Sequence, residues 1–218
     1  MDRRTDLPRD TKPSGPALFG NPDEKARLEA RNGLLQFDEV LRLIDEGAQS
    51  SVFKLRPSLI QQLHRIAIKD IYACAGNYRT QPVVIGNTAH RPPAWEKVPE
   101  LVEEMCDYVN DCWNKAPIHL AAYLMWRINW IHPFAGGNGR TSRAVSYLAL
   151  CLKLGSRLPG YLTIPDQIVN NRQPYYAALD QADLGWSRNE LDVAAMEELL
   201  SRLLAQQLVA THERAIGK

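Results

Sequence analysis

The chain has 218 residues, of which 45% are hydrophobic and 23% charged, with 26 Lys and Arg against 25 Asp and Glu. A chain of this length can bury the core of one domain without metal or disulfide staples. The formal net charge of +1 excludes a broad basic surface that coats nucleic acid, although one local basic pocket is compatible with it. We therefore expect no nucleic-acid partner.

Targeting and redox patterns point to one compartment. Residues 1–10 alternate charges without an apolar stretch, unlike a secretory signal. The longest apolar run, residues 118–131, is shorter than the roughly 20 residues that span a bilayer. The four cysteines form neither a CxxC pair nor a metal-ligand spacing with histidines, so we expect buried, reduced thiols. These patterns predict a cytoplasmic protein with no membrane partner.

The first 23 residues differ in composition from the rest. They hold four prolines and scattered charges, which predicts a flexible tail over residues 1–23 or a strap over the surface. From residue 24 helical patterns dominate, and we expect one domain over 24–214, with N-terminal helices within 24–70. The fold class predicted is all-α, with a small β excursion.

That β excursion is residues 78–86. The stretch is rich in β-branched residues and is flanked by Gly76 and Gly86, which predicts a short strand or hairpin. Pro82 would place it at an edge. Helices are expected over residues 98–112, 118–131, 140–154 and 191–208. Gly155 would end the third of these.

Chemistry concentrates in one run, residues 130–143, which reads Trp-Ile-His-Pro-Phe-Ala-Gly-Gly-Asn-Gly-Arg-Thr-Ser-Arg. Pro133 would end the apolar helix at His132. The glycines that follow can turn backbone N–H groups into one concavity, where the N-terminus of the next helix adds more donors. Arg140 and Arg143 lie three residues apart, near one face of that helix. The pattern predicts a polyanion site with a histidine base at its rim.

Two common phosphate motifs do not fit this run. A Walker A loop requires a lysine where Arg140 stands, and its glycine spacing differs. The dinucleotide fingerprint requires a third glycine where Ser142 stands, and a preceding strand. A simple helix-to-helix turn would not need a histidine, three glycines, an asparagine and two arginines together.

The run resembles the signature of the Fic family, His-Pro-Phe-x-(Asp/Glu)-Gly-Asn-(Gly/Lys)-Arg-x-x-Arg. The resemblance covers about residues 28–205 and implies a Fic-type helical bundle with a hairpin flap at 76–90 and a signature loop at 132–143. The other segments similar to the family are Gly76-Asn77-Tyr78-Arg79, Val83-Val84-Ile85, His90-Arg91-Pro92-Pro93, Val98-Pro99-Glu100-Leu101 and Tyr175-Tyr176-Ala177-Ala178-Leu179.

The resemblance implies transfer of AMP, or another nucleotidyl group, from a nucleoside triphosphate to a Ser, Thr or Tyr hydroxyl of a target protein. ATP would be the donor and His132 the general base, with Phe134 anchoring the loop from the core. The nucleotide's phosphates would be held by an anion hole and two arginines: Gly137, Asn138, Gly139, Arg140 and Arg143. The flap at Val83, Val84 and Ile85 would clamp the target by strand addition.

One position departs from the family pattern. Gly136 stands where the family has an acidic metal ligand, so no side chain would hold a metal there, and Mg²⁺ or Mn²⁺ would be held weakly through phosphates and water. Three interpretations follow: a weakened transferase, transfer of another phosphate-containing group, and a nucleotide- or protein-binding pseudoenzyme. The retained base and arginines favour the first.

An inhibitory glutamate is the remaining expectation. Many relatives carry a helix whose glutamate pairs with the second arginine of the signature. No complete match to that motif occurs here, and Glu29 is the nearest candidate for a contact with Arg143, while Glu46 has the right following glycine. Both could instead be solvated helical glutamates. If neither serves, a separate antitoxin-like chain is the expected inhibitor.

The aromatic residues near the motif are predicted to be structural. Trp113, Trp126 and Trp130 have helical spacing and should pack in the core. Arg127, inside the apolar helix, is expected to snorkel or to pair with a carboxylate. Tyr175 and Tyr176 are candidates for the border of a nucleotide pocket.

Overall fold

The computed structural model describes residues 9, 11, 16–49 and 53–217. This part of the chain forms eight α-helices, with a 3₁₀ turn at Trp95–Lys97, so the all-α prediction is confirmed. The helices are α1 (Pro22–Gln49), α2 (Pro57–Ile68), α3 (Val98–Asp111), α4 (Pro117–Ile131), α5 (Asn138–Leu154), α6 (Ile164–Asn170), α7 (Gln173–Ser187) and α8 (Ala194–Ala215).

Helix α4 is the centre of the bundle. It is apolar on all sides, as its sequence predicts, and its residues are buried around most of its circumference. It packs against α3, α5, α7 and α8, most extensively against α5. The loop between α4 and α5 therefore begins and ends in the core, which gives the signature run a rigid support.

Helix boundaries follow the sequence patterns closely. α3, α4 and the C-terminal end of α5 lie where they are predicted, with Gly155 in a left-handed conformation after α5. α5 begins at Asn138, two residues before the predicted start. α8 begins at Ala194 rather than Leu191, and the Asp192 side chain accepts a hydrogen bond from the Ala194 N–H at 3.0 Å, which satisfies one donor of the first turn.

The predicted strand or hairpin over 78–86 is not formed. The described residues contain no sheet, and this segment is irregular apart from one isolated antiparallel bridge between Ile85 and Thr11. The partner in this bridge, Thr11, comes from a distant part of the chain. The β-branched residues here therefore mark an extended segment without a ladder of its own.

The N-terminal segment is partly outside the described residues, since these omit 1–8, 10 and 12–15. The flexible tail therefore stays a prediction. The positions that are described contact the helical body. Ala17 forms an isolated bridge with Tyr72, and the Leu18 N–H donates to the Ile71 carbonyl at 3.0 Å. This part of the segment runs over the surface as a strap.

Arg127 behaves differently from the prediction. Trp126 is buried, and Trp113 and Trp130 pack partly buried against the core, as expected. Arg127 is only 4% exposed, and its Nε and Nη1 have no hydrogen-bond partner among the described residues. Its guanidinium lies over the rings of Trp130 and Trp186, 4.3 Å and 4.5 Å from their centroids. Aromatic faces take the place of the expected carboxylate.

The cysteines are unpaired thiols. Cys106 and Cys151 are buried as predicted, whereas Cys74 and Cys112 are only half-buried. None of the helices in the described ranges has the length and apolarity that crossing a membrane requires.

Candidate active site

His132 lies at the point where α4 ends. Its backbone is left-handed, with φ 51° and ψ 58°, a conformation that few residues other than glycine adopt. Pro133 disfavours a helical conformation at the residue before it, so the chain turns sharply here. The imidazole is 5% exposed and lines the main cavity of the molecule.

Hydrogen bonding indicates which nitrogen of His132 is free to act. Nδ1 lies 3.4 Å from the carbonyl oxygen of Asn129, which can only accept a hydrogen bond. With the proton on Nδ1, Nε2 is an acceptor, and it faces the Thr11 hydroxyl at 3.4 Å. Burial lowers the pKa of His132 to about 3, because the site disfavours the charged ring. The histidine is therefore neutral at neutral pH, with an unprotonated Nε2.

A buried amide network supports this orientation. The Asn129 side-chain Nδ2 donates to Ser142 Oγ and to Tyr175 Oη, both at 2.8 Å. Ser142 in turn donates to the Gly139 carbonyl at 3.1 Å. Asn129, which orients His132, is thus bonded to the first turn of α5, so His132 and the start of α5 are held together.

Arg79 fixes the same helix end from the opposite side. Its Nε donates to the His132 carbonyl at 2.8 Å, its Nη2 to the Pro93 carbonyl at 2.6 Å, and its backbone N–H to the Pro133 carbonyl at 2.9 Å. A buried cation at a helix C-terminus also suits the negative end of the helix dipole. Sequence reasoning named Arg79 only as part of a similar segment, and its contacts show a positioning role.

The signature loop is closed by Asn138. Its Oδ1 accepts the Phe134 N–H at 2.9 Å, and its Nδ2 donates to the Phe134 carbonyl at 2.8 Å. Phe134 itself is fully buried, as expected of a loop anchor. Because both polar atoms of its side chain bond to Phe134, Asn138 can donate only its backbone N–H to an anion.

Gly137 sets the start of α5. It has φ 75°, and a Cβ there would lie 2.5 Å from Ile68 Cδ1, so no larger residue fits. The N–H groups of Asn138, Gly139 and Arg140 follow, and they have no partner within the helix. Three backbone donors and the positive end of α5 therefore point towards one place.

His64 is a residue that sequence reasoning missed. Its Nδ1 accepts the Gly76 N–H at 2.9 Å, so its proton resides on Nε2, which donates to the Gly136 carbonyl at 2.9 Å. The ring stacks on Phe134 with centroids 3.7 Å apart, and burial lowers its pKa to about 4. Nothing in the spacing of α2 could reveal this role, because both partners are distant in sequence.

The two arginines of the signature differ in their surroundings. Arg140 Nη2 pairs with Glu29 Oε1 on α1 at 2.6 Å, and its Nη1 donates to the Ala67 carbonyl at 3.3 Å. Arg143 has no carboxylate partner in the part of the chain that the structure describes. Burial and the charges of Arg140 and Arg172 lower the pKa of Arg143. The unpaired positive charge would be stabilised by a bound anion.

These features meet at one cavity of about 880 Å³. It is large enough for a nucleotide-sized ligand. One part of its wall is the start of α5 with both arginines, and another holds His132 and Ile85. Tyr175 and Tyr176 also line it, and their place at the border of a nucleotide pocket stays a prediction.

Comparison with known proteins agrees with this arrangement. Residues 54–150 match the model of the Fic/DOC family. That range includes His64, His132 and the signature arginines. The chain contains a Fic/DOC domain.

Relatives and solved structures extend the likeness beyond the Fic/DOC domain itself. Protein adenylyltransferase fic-1 of Caenorhabditis briggsae is 34% identical over 154 residues, which are 64% of this chain and 29% of that protein. Protein adenylyltransferase Fic of Nematostella vectensis is 30% identical over 171 residues, 74% of this chain and 36% of that protein. The chain spans about a third of the length of these curated relatives.

The fold comparison covers more of the chain. A Fic domain containing signaling protein from Bacteroides thetaiotaomicron superposes with a TM-score of 0.70 at 24% identity. The superposition covers 92% of this chain and 77% of that one. At this level of identity the likeness shows a shared fold, and the helical bundle of the Fic/DOC domain is that fold.

Within the Fic/DOC domain, the three predicted flap residues differ in burial and in whether they line the cavity. Ile85 is buried, lines the cavity and forms the bridge with Thr11. Val84 is 69% exposed, and Val83 is half-buried outside the cavity. Of the three predicted flap residues, Ile85 alone therefore faces the cavity.

Gly136 offers a metal no side-chain ligand in this Fic/DOC domain. It is buried, and its carbonyl is occupied by the His64 N–H. Across the described ranges, no group of three or more His, Cys, Asp or Glu could hold a metal ion. The residues present do not fit a protein-held Mg²⁺ at this position, which needs carboxylate oxygens.

The candidate inhibitory contact differs from the expected one. Glu29 was a candidate for a contact with Arg143 or for a solvated position, but it pairs with Arg140 where α1 packs against α5. Glu46 pairs with Arg42 on the surface of α1. Of the two glutamates, Glu29 alone lines the cavity.

Proposed function

We propose that the Fic/DOC domain transfers a nucleotidyl group, AMP from ATP, to a Ser, Thr or Tyr hydroxyl of a protein. The observation that carries the proposal is the position of His132. Its unprotonated Nε2 faces the same cavity as the start of α5 and both signature arginines. A base for an incoming hydroxyl thus lies beside a site for phosphate groups.

The roles of the residues follow from charge. The attacking hydroxyl gives its proton to His132 Nε2 as its oxygen bonds to the α-phosphorus. The backbone N–H groups of Gly139 and Arg140 stabilise negative charge on the transferred phosphate, and the Arg140 and Arg143 side chains hold the β- and γ-phosphates. Pyrophosphate is the leaving group. Besides the proton transfer to His132, the protein contributes positioning and charge stabilisation.

The names of the curated relatives support this activity. Both are protein adenylyltransferases, although the chain corresponds to only a part of each. We extend to this chain a protein target recognised through the flap, where backbone pairing at Ile85 would set the register of an extended peptide. Since the donor is a nucleoside triphosphate, we also propose that the reaction takes place in the cytoplasm.

Regulation by Glu29 is part of the proposal. Its carboxylate neutralises Arg140 in the cavity, where a triphosphate would bring its own negative charge. Glu29 must release Arg140 for the phosphates to bind fully, so the pair opposes nucleotide binding. If Glu29 does not inhibit, a separate antitoxin-like chain is the alternative inhibitor.

Transfer of radiolabel from α-labelled ATP, CTP, GTP or UTP, with Mg²⁺ or Mn²⁺ and a cell lysate as the source of acceptors, tests the proposal. We expect His132→Ala to lower labelling by roughly 10²- to 10⁴-fold, the usual contribution of a general base. The matched control is His212→Ala, because His212 is exposed near the end of α8. Nucleotide binding without any His132-dependent labelling would instead indicate a binding module.

A further inference from the structure

A hydroxyl of the chain itself lies at the base. Thr11 Oγ1 is 3.4 Å from His132 Nε2, and no other hydroxyl of the described residues lies within hydrogen-bond distance of that nitrogen. Hydrogen bonds of a catalytic base are often long before the reacting partner is bound. Thr11 also lines the cavity that holds Arg140 and Arg143.

Contacts on both sides hold Thr11 in this place. On one side its backbone pairs with Ile85 in the antiparallel bridge. On the other, the Arg9 backbone N–H donates to Tyr176 Oη at 3.1 Å, and the Arg9 guanidinium bonds both Asp180 carboxylate oxygens at 2.7 and 2.6 Å. The same guanidinium lies 4.6 Å from the centroid of the Tyr176 ring. Thr11 therefore reaches the base as an added strand would, with a side-chain anchor two residues before it.

We propose that Thr11 is a self-modification site, the hydroxyl to which the domain transfers the nucleotidyl group of a nucleoside triphosphate within its own chain. In this step a bond forms between Thr11 Oγ and the α-phosphorus. The bond from that phosphorus to the oxygen bridging to the β-phosphorus breaks, and pyrophosphate leaves with the electron pair. The hydroxyl proton passes to His132 Nε2. The inference rests on the proposed function and names its first acceptor.

A modified Thr11 would have a consequence for other substrates. Thr11 pairs with the backbone of Ile85, which an external peptide would need for strand addition. An external target must displace Thr11, so self-modification and modification of a target compete for one site. Because Thr11 and His132 belong to the same chain, self-modification would not depend on protein concentration.

The experiment follows α-labelled nucleotide into the full chain with no other protein added, and maps the label by mass spectrometry of peptides. We expect label on Thr11, at a rate per molecule that does not change with protein concentration. Thr11→Val should lower the labelling of residue 11 roughly tenfold or more. Thr11→Ser should keep this labelling, because the serine keeps an acceptor oxygen in place. Ser201→Ala, which removes an exposed hydroxyl from α8, should label like the wild type.

A second variant tests the anchor without removing the acceptor. Arg9→Ala should slow labelling of Thr11, and Arg188→Ala, at an exposed arginine paired with Glu190, is its matched control. His132-dependent label on other residues, with none on Thr11, would overturn the inference and leave the proposed function standing. If neither the chain nor a lysate protein acquires His132-dependent label, both are overturned.

Discussion

The two sides of His132 are built in different ways. The phosphate-side loop, residues 133–143, is closed from within by the bonds between Asn138 and Phe134 and by the left-handed Gly137, and His64 supports it from α2. The acceptor-side segment, residues 76–90, is irregular and is fixed by distant partners. Arg79 bonds the carbonyl of His132, and His90 bonds that of Trp130 at 2.9 Å.

The difference matches what each side would have to do. A triphosphate presents the same charges in the same geometry each time, so a rigid, locally determined loop can be complementary to it. Peptide acceptors vary in sequence, and backbone pairing with an irregular segment recognises them without demanding particular side chains. His64 joins the two, because it bonds Gly76 on the acceptor side and Gly136 on the phosphate side.

The largest effect is expected from breaking the phosphate-side loop at Gly137. Gly137→Ala forces a left-handed alanine, which costs about 1–2 kcal/mol, and places Cβ 2.5 Å from Ile68 Cδ1, an overlap that costs about 1–3 kcal/mol more. Chemical denaturation should show the summed loss of unfolding free energy. Gly155→Ala is the matched control, since Gly155 has φ 77° with no atom within 4 Å of a new Cβ. Equal losses in the two variants would contradict the tight contact.

The next effect concerns pH and the histidine that joins the two sides. His64 and His132 have folded pKa values of about 4 and about 3, both below the value of about 6.5 in an unfolded chain. Between pH 4 and 6.5 the unfolded state binds more protons, so unfolding free energy should rise with pH, by up to about 1.4 kcal/mol per pH unit for each histidine. Below pH 6.5 that stability is progressively lost.

A variant separates the two histidines. His64→Gln removes one titrating group, so the slope of unfolding free energy against pH should become shallower than in the wild type. His212→Gln, at an exposed position, should leave the slope unchanged. An unchanged slope for His64→Gln would show that His64 is not neutral in the folded protein.

The same contrast explains how far the sequence could predict the molecule. Local apolar patterns predict α3, α4 and α5, and the His-Pro-Phe run with its glycines predicts a sharp turn into an anion site. The roles of His64 and Arg79 depend on partners far away in sequence, and the strand over 78–86 was wrong because, among the described residues, it pairs only through the bridge between Ile85 and Thr11. Arg143 was the candidate partner of Glu29 because the family's inhibitory glutamate pairs with the second arginine, and the sequence alone cannot tell which of two arginines a neighbouring helix reaches.

Gly136→Asp would give the phosphate-side loop the carboxylate that it lacks. We expect divalent-cation-dependent labelling to rise about tenfold, since a held cation stabilises charge on transferred phosphate. Gly136→Asn is the matched control, with a side chain of the same size and no charge. Equal labelling rates for Gly136→Asp and the wild type would show that this position does not limit the reaction.

Glu29→Gln should have the smallest effect and tests whether the phosphate side is restrained by α1. The pair with Arg140 is partly exposed, with side chains 35% and 29% accessible, so its loss should tighten ATP binding only roughly two- to fivefold. Calorimetry measures this directly, and Glu46→Gln, which removes a surface pair with Arg42 on the same helix, is its control. Because glutamine keeps the shape of the side chain and removes its charge, tighter binding by Glu29→Gln alone would identify charge neutralisation as the cause. Identical affinities in the two variants would show that Glu29 is a structural contact of α1 and does not oppose ATP binding.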